Sequence, residues 1–374
     1  MGWVEIRGDD VLVNTRLNRL GRSTRDLLDV VERADPSASA RGGAGFAGLR
    51  GTCGRTGVTR LGIIGAGIMG ERLLRAAQGH GRVQISGVWD PVDATVHRLV
   101  AALPGTPVGR SAAEVIAGCD CVYVASPPAT HLLHARAALA AGKALFCEKP
   151  LATDMVDATA FLADAATARA AVNFPFASSA AVERLAGWLA HAVAGTPEQV
   201  AIVVGFATWP RGWQHGAASW LDGPAQGGFT REVVSHFLFL ARRLFGPLAL
   251  RSATARFPQA ERSERSVEAS LVAGTIPMSL VGAVGGTTAD DSNSFTIEGS
   301  AGAIRLRDWA FAERWVAGEW QGDPDVTPHA VARPLVLQRQ LDGVGQMTLG
   351  QPHGLATLGE AYDVQAVVEA VLRR

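Results

Sequence analysis

The stretch Arg60-Leu61-Gly62-Ile63-Ile64-Gly65-Ala66-Gly67-Ile68-Met69-Gly70-Glu71-Arg72-Leu73-Leu74 decides how the chain is read. A short apolar strand runs into Gly-x-Gly-x-x-Gly, and a helical pattern continues from it. A second strand at 84–89 ends at Asp90, about 20 residues past the last glycine. Strand, glycine turn, helix and acid together are the fingerprint of a dinucleotide-binding βαβ unit. Gly65 permits the tight turn, Gly67 lets backbone N–H groups approach a pyrophosphate, and Gly70 lets helix and strand pack closely. Ile68 and Met69 of this turn are expected to bind the cofactor as well, and the helix that continues from Glu71 offers N-terminal donors and a positive dipole end to the phosphates. Asp90 would accept hydrogen bonds from the adenosine ribose and repel a 2′-phosphate. No arginine follows it in Pro91-Val92-Asp93, so NAD is expected, with NADP as the alternative.

Working outward, strands keep alternating with helices. A helix is expected at 94–103, a strand at 119–125 ending at Ser126-Pro127-Pro128, a helix at about 130–141 and a strand at 144–147. That alternation implies a parallel sheet. Past residue 173, alternating or apolar runs at 199–207, 266–272, 278–284, 294–297 and 303–306 suggest an antiparallel-rich sheet. Helical patterns at 230–244 and 358–372 interrupt and close it. The expected fold is α/β, with a Rossmann NAD(P)-binding domain at 59–172. An α/β substrate-binding and oligomerisation domain with an open-faced, mostly antiparallel sheet is expected at 173–374. Its last helix is expected to pack back on the first domain.

The 374 residues suit two domains and an appendage. With 48% hydrophobic and only 19% charged residues, wholesale disorder is excluded. The 35 basic residues balance 35 acidic ones, which argues against nucleic acid or an anionic membrane surface as partner. No apolar run reaches the roughly 18–20 residues of a spanning helix. The acids of Met1–Asp10 do not suit a secretory signal. Cys53, Cys119, Cys121 and Cys147 lack metal-site spacing, so no metal is expected, and a reduced, cytoplasmic location is. Residues 1–58 read as a non-functional or flexible appendage. Within it, Asn18-Arg19-Leu20-Gly21-Arg22-Ser23 and its surroundings resemble part of a serine recombinase (resolvase) catalytic domain, with Asn18 where that family has Asp.

Of the basic residues, only Lys143 and Lys149 are lysines. In so arginine-rich a chain, a retained lysine points to a site that needs an ammonium able to lose its proton. Lys149 stands in Cys147-Glu148-Lys149-Pro150-Leu151, about 17 residues beyond Ser126-Pro127-Pro128-Ala129-Thr130-His131. Here the chain resembles the Gfo/Idh/MocA oxidoreductase family. Gly227-Gly228-Phe229-Thr230-Arg231-Glu232-Val233-Val234-Ser235-His236 resembles the family's Gly-Gly-x-x-x-Asp-x-x-x-His helix. Phe295-Thr296-Ile297-Glu298-Gly299 resembles one of its strand–turn elements. The resemblance runs from about Thr59 to Arg374. It departs at Glu232, where the family usually has Asp, and at Asn173-Phe174-Pro175-Phe176.

The resemblance implies hydride transfer between nicotinamide and a hydroxyl or carbonyl carbon, commonly of a sugar or polyol. It implies Lys149 as the active-site lysine, Glu148, Pro150 and His131 near the cofactor beside Ser126 and Pro127, and His236 facing substrate. The chemistry of the residues agrees, because oxidising an alcohol needs a group that removes the O–H proton as hydride leaves carbon. Glu232 and His236 are four apart on a helix, so Glu232 is expected to orient His236. Whether Lys149 or His236 is the principal base is open. Trp209-Pro210-Arg211-Gly212-Trp213-Gln214-His215 supplies ring faces and directional donors suited to a sugar, and Arg211 or Arg231 could select an acidic substrate. The substrate-binding set is therefore Trp209, Arg211, Trp213, Arg231 and His236. A homodimer or homotetramer is expected. The rival readings are a reductase of another C=O or C=N substrate and a non-catalytic NAD(P)-binding regulatory protein.

Overall fold

A computed structural model describes residues 57–325 and 327–373, without the side chains of His215 and Ala218. The recombinase-like stretch lies outside the described residues.

The first sheet is built from β1 (Thr59–Ile64), β2 (Val83–Trp89), β3 (Cys121–Val124), β4 (Ala144–Glu148) and β5 (Ala170–Asn173). Their order is β2-β1-β3-β4-β5 and every pairing is parallel. All four residues of β3 and all five of β4 are buried, as a parallel sheet covered on both faces requires. The crossovers are α1 (Ile68–Ala77), α2 (Asp93–Ala102), α3 (Ala112–Ala117), α4 (His131–Ala140) and α5 (Met155–Asp164). On one face Leu73 and Leu74 pack with Tyr123 and Phe146; on the other Ile116, Leu132 and Phe161 pack with Val122 and Leu145.

The second sheet has eight strands: β6 (Pro197–Phe206), β7 (Leu248–Arg256), β8 (Ser266–Ala273), β9 (Ile276–Val284), β10 (Ser292–Gly299), β11 (Gly302–Arg307), β12 (Phe311–Val316) and β13 (Glu319–Gly322). Their order is β13-β12-β11-β10-β6-β9-β8-β7, antiparallel except for β6 against β9. Val200, Ile202, Val204 and Phe206 of β6 point inward, while Val203, paired with Val281 of β9, faces out. One face is therefore covered and the other open, the alternation expected of an antiparallel sheet. The inner face packs on α6 (Ala180–Ala190) and α7 (Ser235–Phe245).

Two later helices tie the sheets together. In α8 (His329–Thr348), Leu341, Val344 and Met347 join the core against α1, β2 and β4. The terminal α9 (Leu358–Leu372) lies against α7, β7, α5 and β5. Both sheets thus belong to one unit among the described residues. No helix among the described residues is long and apolar enough to cross a membrane.

Candidate active site

The C-terminal ends of β1, β3 and β4 converge with the start of α7. Gly65 has φ +106°, and a Cβ there would meet the Ala125 carbonyl at 2.5 Å. At Gly70 a Cβ would stand 2.0 Å from the Gly65 oxygen. Gly67 differs: a Cβ on it would meet nothing within 4 Å. It also forms the N-terminal cap of α1 without contributing a capping side chain. The turn therefore offers open space against exposed helix donors, a fit for a pyrophosphate. Asp90 accepts from the Ala66 N–H and the Val92 N–H, each at 2.9 Å, and so pins this turn to the end of β2. Each carboxylate oxygen keeps a second lone pair for a ribose hydroxyl.

Lys149 emerges just past β4. Its Nζ donates to Glu232 Oε2 at 2.8 Å and to the Glu232 carbonyl at 3.1 Å. The two side chains are only 8% and 14% exposed, so the pair sits in a largely dry setting. Residues Thr230–Val234 form a π-turn that leads into α7, a widening of the helical ladder found often at functional sites.

This pairing corrects the expectation that Glu232 orients His236. The carboxylate turns instead to the ammonium, the stronger charge-assisted partner. His236 is buried, and burial together with Lys149, Arg211 and Arg333 holds its pKa well below the usual histidine value. Its ring packs edge-on against Phe174, Phe176 and Trp309, and Nδ1 has no hydrogen-bond partner among the described residues. Below the ordinary value of 6.5, the unfolded imidazole takes a proton that the buried one refuses. The unfolded state then binds more protons, so stability falls as pH falls. As pH falls below about 6.5 the wild type should therefore lose stability more steeply than His236→Asn, measured by urea midpoints at a series of pH values.

Around this centre several residues hold the backbone in place. His131 is buried, with Nδ1 2.7 Å from the Pro150 carbonyl and Nε2 2.8 Å from the Ser126 carbonyl. It ties the Ser-Pro-Pro turn to the Glu-Lys-Pro turn, and burial lowers its pKa. Ser126 is half-buried and Pro127 exposed at the rim. The Glu148 carboxylate points inward, accepting from the Tyr123 hydroxyl and, at 2.6 Å, from Asn173 Nδ2. Gln340 of α8 in turn donates to Asn173. Burial raises the Glu148 pKa.

Two residues of the expected substrate set serve the scaffold instead. Trp209 is buried against Phe206 and Phe229, with ring centroids 5.3 and 6.1 Å away, because β6 delivers it into the core. Arg231 makes a bidentate pair with Glu369, both bonds 2.7 Å, and donates to the Pro224 and Gly227 carbonyls. Its donors are spent on tying the glycine loop to α9. Arg211 pairs with Asp291 at 2.7 Å, and Trp213 stays partly exposed beside it. Arg72 of α1 and Arg333 of α8 also approach Trp213. Sequence reasoning missed both. Arg72 lies two residues past Gly70, a local signal that was legible; Arg333 joins only through tertiary packing.

Residues 59–174 match the Gfo/Idh/MocA family model, described as an oxidoreductase family with an NAD-binding Rossmann fold. Inositol 2-dehydrogenase 3 of Saccharopolyspora erythraea is 43% identical over 104 residues, 26% of this chain and 30% of that protein. The chain thus spans less than a third of the length of this curated relative. Among solved structures, an oxidoreductase of Thermotoga maritima superposes with a TM-score of 0.72 at 18% identity, over 84% of this chain and 96% of that one. A myo-inositol dehydrogenase of Corynebacterium glutamicum gives 0.66 at 19% identity, over 84% and 96%. Those two likenesses establish the two-sheet fold across nearly all of the described chain.

Proposed function

We propose that this chain, whose residues 59–174 form a Gfo/Idh/MocA Rossmann domain, is an NAD-dependent oxidoreductase acting on a sugar, polyol or related hydroxy or carbonyl compound. One observation carries the reading: a nearly dry Lys149–Glu232 pair beside neutral His236, at the strand ends where the glycine turn opens. In open α/β sheets ligands sit at that edge. The likeness to an inositol 2-dehydrogenase supports a polyol as substrate.

Gly65, Gly67, Gly70 and Asp90 would hold the dinucleotide, with the turns at Ser126-Pro127 and Lys149-Pro150 flanking it. When bound, it supplies the two-electron acceptor or donor for hydride at carbon. The protein's own task is then the proton. In the oxidative direction the substrate O–H proton passes to the Lys149–Glu232 pair, which is neutral overall and can take one on the carboxylate or release one from the ammonium. His236, held neutral, positions the substrate oxygen by hydrogen bonding. His131 and the Tyr123–Glu148–Asn173–Gln340 chain keep the two turns in register.

The test is a nicotinamide absorbance screen with NAD and NADP against a sugar and polyol library. Turnover of none, with NADH bound, would reject catalysis in favour of a regulatory binder. NAD should be preferred to NADP, because Asp90 opposes a 2′-phosphate. Asp90→Ser removes that charge and should cut the NAD:NADP ratio of kcat/KM about tenfold, the equivalent of roughly 1.4 kcal/mol. A cytoplasmic homodimer or homotetramer completes the proposal. Val203 and Val281, side by side on the open face of the second sheet, support association there.

A further inference from the structure

Three guanidinium groups surround the Trp213 indole. Arg72, Arg211 and Arg333 lie 4.4, 4.8 and 5.7 Å from its ring centroid. They arrive from three places: α1 of the dinucleotide unit, the loop after β6, and the first turns of α8. Asp291 is the carboxylate paired with this group, and it is committed. It takes Arg211 at 2.7 Å, and its other oxygen faces Trp309 Nε1 at 3.3 Å. Among the described residues neither Arg72 nor Arg333 forms a salt bridge; Arg72 donates to the Met69 sulfur at 3.7 Å. Glu148 is occupied by Tyr123 and Asn173. Asp291 and Glu148 are the carboxylates that act on Arg72 or Arg333, so three half-buried guanidinium groups face two acids that are already bonded elsewhere, and a bound anion would offset the excess positive charge.

The cluster borders the site described above. His236 responds to Arg211 and Arg333 as well as to Lys149, so two of the three cluster arginines lie close enough to the site to act on its imidazole. Their mutual cost shows in Arg72, which burial and repulsion from Arg333 and Arg211 bring down to about 9. His329, at the start of α8, is likewise held neutral, pushed down to about 4.

We propose that Arg72, Arg211 and Arg333, arranged around Trp213, form a subsite for an anionic substituent, a carboxylate or a phosphate, on the substrate whose carbon faces Lys149 and His236. Arg211 already gives Nε to Gln214 and Nη1 to Asp291, so the N–H groups offered to an incoming oxygen are chiefly those of Arg72 and Arg333, beside the remaining Nη2 of Arg211. The proposal rests on the oxidoreductase reading for the rest of the substrate. It narrows that substrate from a neutral polyol to a sugar acid, a sugar phosphate or a similarly charged compound.

The experiment compares glucose with glucuronate and with glucose 6-phosphate, titrated calorimetrically into the full-length protein saturated with NADH. At least one anion should bind at least tenfold tighter than glucose, and the two anions tell carboxylate from phosphate. Arg72→Gln and Arg333→Gln should each reduce that preference about tenfold, with NADH affinity kept as proof of folding. Arg333→Lys should restore part of it, and Arg82→Gln, an exposed cation elsewhere, should not alter it. Equal affinity for glucose and both anions, or a preference that survives in both Gln variants, overturns the subsite. So does loss of NADH binding in place of anion binding, which would assign the arginines to the dinucleotide. Hydride transfer is read separately by nicotinamide absorbance. Tight anion binding without any turnover sinks the oxidoreductase reading and keeps the subsite; equal turnover of neutral and charged sugars does the reverse.

Discussion

Lys149→Met should lower kcat about 10³-fold while NADH still binds. General acid–base groups contribute roughly 10²–10⁴-fold, and the Lys149 Nζ is the ammonium bonded to Glu232 at this strand edge. Methionine keeps the length and apolar stem of the lysine but cannot carry a proton. The change also strands the Glu232 carboxylate, only 14% exposed, without its partner. Leaving one member of a buried pair costs about 3–5 kcal/mol, so the single variant should be less stable as well as inactive. Adding Glu232→Gln separates the two effects. The double variant should recover most of the stability, because no buried charge remains, and none of the activity. Steady-state turnover and urea midpoints on the same preparations give the comparison. A Lys149→Met protein turning over within a factor of five of wild type would show that the proton travels by another route, with His236 the next candidate.

What the sequence made legible follows the range of the interactions involved. The glycine turn was readable because its constraints are largely local: Gly65 takes a positive φ that favours glycine, and a side chain at Gly70 would clash with the Gly65 oxygen five residues back. Lys149 stood out through scarcity and its place after a strand. Glu232 was assigned to the wrong partner because spacing along a helix reveals only neighbours on that helix. The lysine that captures it is 83 positions away. Trp209 and Trp213 look alike in sequence, yet one is 6% exposed and the other 36%, since the chain leaves β6 between them. Arg231 beside a glycine pair reads as a substrate donor; its true partner, Glu369, lies on the last helix. Strands β12 and β13 escaped notice because the second sheet's outer end alternates poorly, with Trp315 exposed and Glu313 buried in pairs with Arg305 and Arg307. The Arg72–Arg333 grouping needs α8 to fold back across the first sheet, a return no local pattern encodes.

Gly67→Val should weaken NADH binding about 100-fold, roughly 2.8 kcal/mol, and leave the fold's stability almost unchanged. The asymmetry is the point. Gly67 lies at φ −72° and ψ −164°, extended backbone that valine adopts readily, and its Cβ would meet nothing within 4 Å. Nothing in the protein itself calls for glycine there. Its absence of a side chain makes sense only if something outside the chain approaches the backbone, and at a helix N-terminus that something is an anion. Gly70→Val makes the opposite case: its Cβ would stand 2.0 Å from the Gly65 oxygen, so the turn itself must shift and stability should fall by about 1–3 kcal/mol or more. Gly65→Val is worse placed still, at φ +106° and against the Ala125 backbone. Thermal midpoints and NADH titrations of the three variants therefore sort them into one that loses ligand and two that lose structure. If Gly67→Val bound NADH as tightly as wild type, the dinucleotide would not lie across this turn, and the placement of the nicotinamide beside Lys149 would lose its support.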